Sequence, residues 1–344
     1  MATLWFVLVA VLWSGYFLLE GFDFGVGMLL PFLPRDERER GLMFESIGPV
    51  WDGNEVWLVV AGGATFAAFP AWYATMFSGF YIALLAVLFF LIIRVLSFEW
   101  REKSETKRWR TVWTWANAVG SFGASLIWGV GLANLLYGVP IDSKGDFSGG
   151  FSDLFSVYTV VGGLSIALLF AYHGATYLTI RTVGDLCERA AATARRLALA
   201  AAVVGAAFLA WTVAVAHDRN DRGIFPPVLP AALGIAALLL ALVFVARRQS
   251  GWAFAMTAGA AVLWVATLFT SLYPRVMVSS TDFSNSLTVD NASSAHYTLV
   301  VMTVVAVIAL PVVLLYQGWT YHVFRQRVGL ERKGGDAPEA SAHA

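Results

Sequence analysis

The chain has 344 residues, 58% hydrophobic and 13% charged, and its 23 Lys and Arg balance its 23 Asp and Glu. Soluble domains average roughly 25% charged and 45–50% apolar residues, so this composition argues strongly against a water-soluble globular protein. A zero net charge with a mean hydropathy of +0.69 also disfavours a nucleic-acid partner, because no basic excess can displace counterions. The single cysteine, Cys187, forbids an intrachain disulfide and any Cys-rich zinc or iron–sulfur site. The expected class is an all-α polytopic membrane protein.

A membrane crossing needs about 20 mainly apolar residues to traverse about 30 Å of hydrocarbon. Nine such runs are read along the chain, at 4–33, 50–70, 72–97, 113–137, 153–180, 195–216, 226–246, 252–273 and 297–324. The second and third are parted only by Phe69-Pro70-Ala71-Trp72, where proline ends a helix. None shows the apolar/polar alternation of a membrane barrel. The first run is not expected to be a cleaved signal: no basic residue precedes it, and Glu20 and Asp23 lie near its end.

Orientation follows from the basic residues, taken loop by loop. Alternate loops and the C-terminal end hold 18 of them, including Arg35, Arg38, Arg40, Arg101, Arg110, Arg189 and Arg248. The opposite loops hold 4, namely Lys144, Arg219, Arg222 and Arg275, and Arg94 lies within a span. The expectation is an outside N-terminus and a cytoplasmic C-terminus. Residues 1–330 read as one membrane domain and 331–344 as a disordered cytoplasmic tail, small and polar. The segment 274–296, rich in Ser, Asn and Thr, is the longest outer loop.

Ionisable residues inside a membrane are costly and mark functional sites. Glu20 and Asp23 are three apart, so they project from one helix face, where two carboxylates repel and favour sharing a proton. The same pair could instead neutralise an arginine. Asp52 and Glu55 repeat the spacing at the start of the second span. There, acids in a first helical turn suit the dipole and Asp is a good N-cap, so capping and proton collection stay open together. Arg94 could snorkel to the nearby surface or pair with one of these acids. His173 is the one histidine clearly within a span. Such a residue more often hydrogen-bonds to a neighbouring helix than ligates a haem. No phosphate-loop, zinc-protease, nucleophile-elbow or dinucleotide motif occurs.

Three segments then carry a resemblance: Gly21-Phe22-Asp23-Phe24-Gly25-Val26-Gly27, Trp51-Asp52-Gly53-Asn54-Glu55-Val56-Trp57-Leu58, and Ala61-Gly62-Gly63-Ala64-Thr65-Phe66-Ala67-Ala68-Phe69-Pro70. With Phe98-Glu99-Trp100-Arg101, Gly174-Ala175-Thr176-Tyr177-Leu178, Ser279-Ser280 and Asn291-Ala292-Ser293-Ser294, the chain resembles subunit II of the cytochrome bd-type quinol oxidases up to about residue 330. The resemblance implies two four-helix bundles plus one peripheral helix, in a bacterial cytoplasmic membrane. It implies pairing with a subunit I that carries haems b and d, so that no haem ligand and no metal site is expected in this chain. The complex would oxidise quinol and reduce O2 to water. A small accessory subunit and a bound quinone are found in some such complexes.

Within that family the Asp of Trp-Asp-Gly-Asn, here Asp52, is assigned to proton uptake, and the acid matching Asp23 has been linked to assembly or cofactor binding. The expected proton pathway is therefore Asp52, Glu55, Glu20 and Asp23, supported by Trp51, Asn54, Arg94 and Glu99. A proton-coupled transporter is the competing reading. It fits poorly, because the acids crowd near one end of the first three spans and the second half offers few counterparts. A purely structural scaffold leaves four acids at one membrane face unexplained.

Overall fold

The computed structural model describes residues 1–223 and 225–329, so the tail expected at 331–344 lies outside the described residues. Its helices are α1 (Ala2–Leu29), α2 (Glu37–Ile47), α3 (Trp51–Ala68), α4 (Pro70–Gly79), α5 (Tyr81–Trp100), α6 (Lys107–Tyr137), α7 (Val157–Arg181), α8 (Gly184–Asn220), α9 (Phe225–Ala246), α10 (Ser250–Leu272) and α11 (His296–Val323). Two short strands, β1 (Arg275–Met277) and β2 (Leu287–Thr288), pair antiparallel between α10 and α11.

Among the described residues, eight helices are individually long and apolar enough to cross a membrane. α3 and α4 meet that standard only together, bent by 120° at Phe69-Pro70. Pro70 opens α4, where its fixed φ suits a first helical turn and its missing N–H costs nothing. The bend leaves carbonyls at the end of α3 without helical partners. Ser294 supplies them, donating its N–H to Ala68 O at 2.8 Å and its hydroxyl to Ala67 O at 2.7 Å.

This geometry corrects two expectations. The run 72–97 is not one span: α4 ends at Gly79 and the crossing helix α5 starts at Tyr81. Hydropathy missed the junction because Phe80 is apolar and flanked by apolar helices. Residues 34–49 are not a plain loop but contain α2, started by Asp36, whose carboxylate accepts the Glu39 N–H at 2.9 Å. The segment 274–296, expected as the longest outer loop, carries the short β1–β2 pair between α10 and α11. It is anchored on Ile141 O, which accepts from Ser279 Oγ, Thr281 Oγ1 and Asn285 Nδ2 at 3.2, 2.9 and 3.1 Å. Its Ser, Asn and Thr content therefore reflects packing duty as much as solvation.

Helices α1, α3, α5 and α6 form one group and α7 to α10 a second, with α1 packed against α3, α6, α7 and α10. α11 lies outside both, and only 6% of its apolar stretch is buried. On the arginine-rich side, Arg101 pairs with Glu37 and Glu102, Arg40 with Glu37, and Arg189 with Glu39. The residues used to read orientation thus also stitch α2 to α5 and α8.

The two groups meet along α7, which both α6 and α1 cross closely, α1 backbone to backbone at Gly25 and Gly174. A Cβ on Gly25 would sit 1.9 Å from Phe170 O, and one on Gly174 2.3 Å from Gly25 C. Small residues allow such approach between membrane helices. A side chain that can rotate makes overpacking cost about 1–3 kcal/mol, and a backbone carbonyl has no such freedom. Gly25→Val is therefore expected to abolish recovery of monodisperse protein on gel filtration in detergent. Gly62→Ala, whose Cβ meets nothing within 4 Å in this chain, is expected to leave that recovery intact.

Candidate functional site

Three helices deliver ionisable groups to one buried point. α1 brings Glu20 and Asp23, α3 brings Asn54 and Glu55, and α5 brings Arg94. Glu20, Asp23, Asn54 and Arg94 are fully buried. Arg94 Nη2 lies 2.7 Å from Glu20 Oε1, and its Nη1 donates to Glu55 Oε2 at 2.9 Å. One guanidinium therefore bridges two carboxylates from different helices. Its face is covered by the rings of Phe24 and Phe98, at 4.7 and 5.7 Å from their centroids.

The backbone around Arg94 is held tightly. Ser97 Oγ donates to Arg94 O at 2.5 Å and accepts from Asn117 Nδ2 at 2.7 Å. On α6, a Cβ at Gly120 would come 2.5 Å from Phe90 O and 3.0 Å from Arg94 Cβ. Glycine at that position is what lets α6 press on the segment that carries the arginine.

Asp23 turns to Asn54, whose Nδ2 donates to Asp23 Oδ2 at 2.7 Å. Asn54 Oδ1 in turn accepts from Gln317 Nε2 at 2.9 Å and Tyr321 Oη at 2.8 Å, both on α11. Sequence reading did not single out Gln317 or Tyr321. The available signal was their four-residue spacing on one face of an otherwise apolar last span.

The expected site residues fall into two groups. Glu20, Asp23, Asn54, Glu55 and Arg94 converge. Asp52 is exposed in the first turn of α3, and the cap position before that turn is Val50, without a side-chain cap bond. Asp as N-cap is therefore not realised, while its place at the positive helix end is. Trp51 stacks on Phe98 with centroids 4.8 Å apart. Glu99 is exposed and makes no ion pair among the described residues. Arg94 does not snorkel; it pairs within this chain.

His173 takes the helix-to-helix reading. Its Nδ1 lies 2.7 Å from Thr257 Oγ1, its Nε2 3.2 Å from Leu18 O, and its ring stacks on Phe254 at 4.7 Å. With both nitrogens engaged, this residue does not fit a haem ligand. Among the described residues no group of three or more His, Cys, Asp and Glu could hold a metal ion.

Chemically, two buried or half-buried carboxyls face one guanidinium, and a third, Asp23, is held beside them on Asn54. A proton taken up here neutralises charge rather than creating it. The arrangement also ties stability to Arg94, since removing one partner of a buried ion pair costs about 3–5 kcal/mol. Arg94→Leu is expected to lower the melting temperature in detergent by about 4–7 °C. Adding Glu20→Leu is expected to restore part of that loss, because the orphaned charge goes with its partner. An unchanged melting temperature in Arg94→Leu would contradict the pairing.

Residues 1–324 match the family model described as cytochrome bd terminal oxidase subunit II. The chain is 44% identical over 325 residues to the Bacillus subtilis strain 168 cytochrome bd ubiquinol oxidase subunit 2, covering 94% of this chain and 96% of that one. It is 38% identical over 350 residues to the Escherichia coli K12 cytochrome bd-I ubiquinol oxidase subunit 2, covering 92% of each. Its fold is similar to a chain in the structure of bd oxidase from Geobacillus thermodenitrificans, with a TM-score of 0.72 at 16% identity, over 94% of this chain and 98% of that chain. A mostly helical chain with eight apolar crossing helices, matched to this family over nearly its whole described length, is a multi-pass protein of the bacterial cytoplasmic membrane and belongs to the cytochrome bd terminal oxidase subunit II family.

Proposed function

We propose that this chain stabilises a haem-bearing subunit I and supplies that complex with protons for oxygen reduction through Asp52, Glu55, Glu20 and Asp23. The chemistry of quinol oxidation and O2 reduction belongs to haems b and d held by the partner, and a small accessory subunit or a bound quinone would be further components. In this reading the bent pair α3–α4 counts as a single span. That makes nine crossings, with the N-terminus outside and the arginine-rich loops in the cytoplasm.

The observation that carries the proposal is a gradient of exposure along one line of carboxyls. Asp52 is exposed, the Glu55 side chain is 19% exposed, and Glu20 is fully buried. Asp52 and Glu55 share one face of α3, and Glu55 and Glu20 share one guanidinium. A proton collected at Asp52 can pass to Glu55 and then to Glu20, with Arg94 keeping each carboxyl oriented and the resulting charge compensated. Asp23 and Asn54 form the branch toward α11. Trp51, stacked on Phe98, and Glu99 border the exposed end.

Asp52→Asn removes the collecting carboxyl without touching the buried ion pairs. It is expected to lower quinol oxidase turnover by about tenfold or more while the visible haem spectrum of the purified complex is retained. Asp52→Glu is expected to recover most of that turnover. Full turnover in an assembled Asp52→Asn complex would remove this residue from the route, and loss of the haem spectrum would make its role structural. Purification through a tag on this chain tests the partner: a reduced haem spectrum is expected to co-purify.

A further inference from the structure

A cavity of about 340 Å³ opens at the arginine-rich end, between α2, the end of α5 and the start of α6. Its lining includes Arg38, Arg101, Arg110 and Ser97, with Phe44 and Phe98 as apolar floor. It also contains Glu37 and Glu102, but both carboxylates are already committed. Glu37 pairs with Arg40 and Arg101, and Glu102 with Arg101 and Arg110. Four arginines thus share two carboxylates at this rim or face it, and Arg38 is exposed with no ion pair among the described residues. The cavity is left with uncompensated positive charge and unspent guanidinium donors.

The position of the cavity narrows the ligand. Beside it, Trp100, Trp109 and Trp113 cluster, with ring centroids 5.3 Å apart for Trp100–Trp113 and 5.7 Å for Trp109–Trp113. Trp109 Nε1 donates to Trp100 O at 2.6 Å, and Trp100 and Trp115 are exposed. Exposed tryptophans gather at the level of lipid headgroups. The same segment that carries this belt carries Arg101 and Arg110. A phosphate at that depth would meet guanidinium forks and apolar rings in one cavity, a combination that suits a phosphodiester with acyl chains attached.

We infer that this cavity binds the phosphate headgroup of an anionic phospholipid, held by Arg38 and Arg110 beside the Trp100–Trp113 belt. No carboxyl of the proton route lines this cavity, and Arg38 and Arg110 touch none of them, so either proposal can fail alone. The site also gives the arginine-rich side a second use: it fixes a lipid against the start of α2, where Glu37, Arg38 and Gly41 line the cavity.

The test uses the intact complex with its partner subunit, delipidated in detergent. Phosphatidylglycerol in mixed micelles is expected to raise its melting temperature by about 3 °C, and phosphatidylcholine or inorganic phosphate to leave it unchanged. The Arg38→Gln/Arg110→Gln double variant is expected to bind phosphatidylglycerol roughly tenfold more weakly, with the haem spectrum confirming assembly. If that variant does not assemble, Arg38→Gln alone, which breaks no ion pair, is expected to show a weaker loss in the same direction. Arg195→Gln, exposed on α8 away from the cavity, is expected to bind as wild type. Equal shifts from phosphatidylcholine and phosphatidylglycerol overturn the proposal, as does an undiminished affinity in the arginine variants. A full shift from inorganic phosphate alone overturns the lipid assignment.

Discussion

A single guanidinium sets the geometry of the first half of this protein. Arg94 is completely buried, so its charge must be answered inside the protein, and the answers come from Glu20 on α1 and Glu55 on α3. Three helices are thereby fixed at one depth and one rotation. Once α1 is turned to present Glu20 to α5, its glycine face at Gly25 is the one that meets Gly174 of α7. The contact between the two helix groups thus shares a helix, and a rotational setting, with the ion pair. Packing on α6 follows the same logic, with Gly120 and Asn117 shaped around the backbone that holds the arginine.

The bend between α3 and α4 complements that constraint. Folding back at Phe69 leaves α3 short, keeps its acidic first turn at one end of the bundle and hands its other end to Ser294. The clamp built on Ile141 O then steadies the segment from which Ser294 projects.

Much of this was legible in the residues. Hydropathy runs located most of the long helices, and the cost of intramembrane charge pointed directly to Glu20, Asp23, Glu55 and Arg94. What stayed hidden has physical reasons. The α4–α5 junction is apolar on both sides, so no polarity change announces it. α2 is charged and short, and its stability comes from the Asp36 cap and from partners distant in sequence such as Arg101 and Arg189. Gln317 and Tyr321 are uncharged, so the rule that flags buried ions passes over them, although their hydrogen bonds complete the wall around Asn54. The difference between Asp52 and Glu55, one exposed and one tied to Arg94, depends on the rotation of α3, which spacing alone cannot supply.

The hydrogen bonds from α11 to Asn54 span 263 and 267 residues of sequence. A chain made from its N-terminus has all the groups of the α1–α3–α5 ion pairs once the first hundred or so residues have emerged. It then holds Asn54 Oδ1 without its final donors until nearly the whole chain has been synthesised. The cluster can therefore be completed only near the end of translation, when the amide and phenol of α11 join charged groups encoded in the first hundred residues. The last helix is the seal on a site whose other walls are encoded long before it.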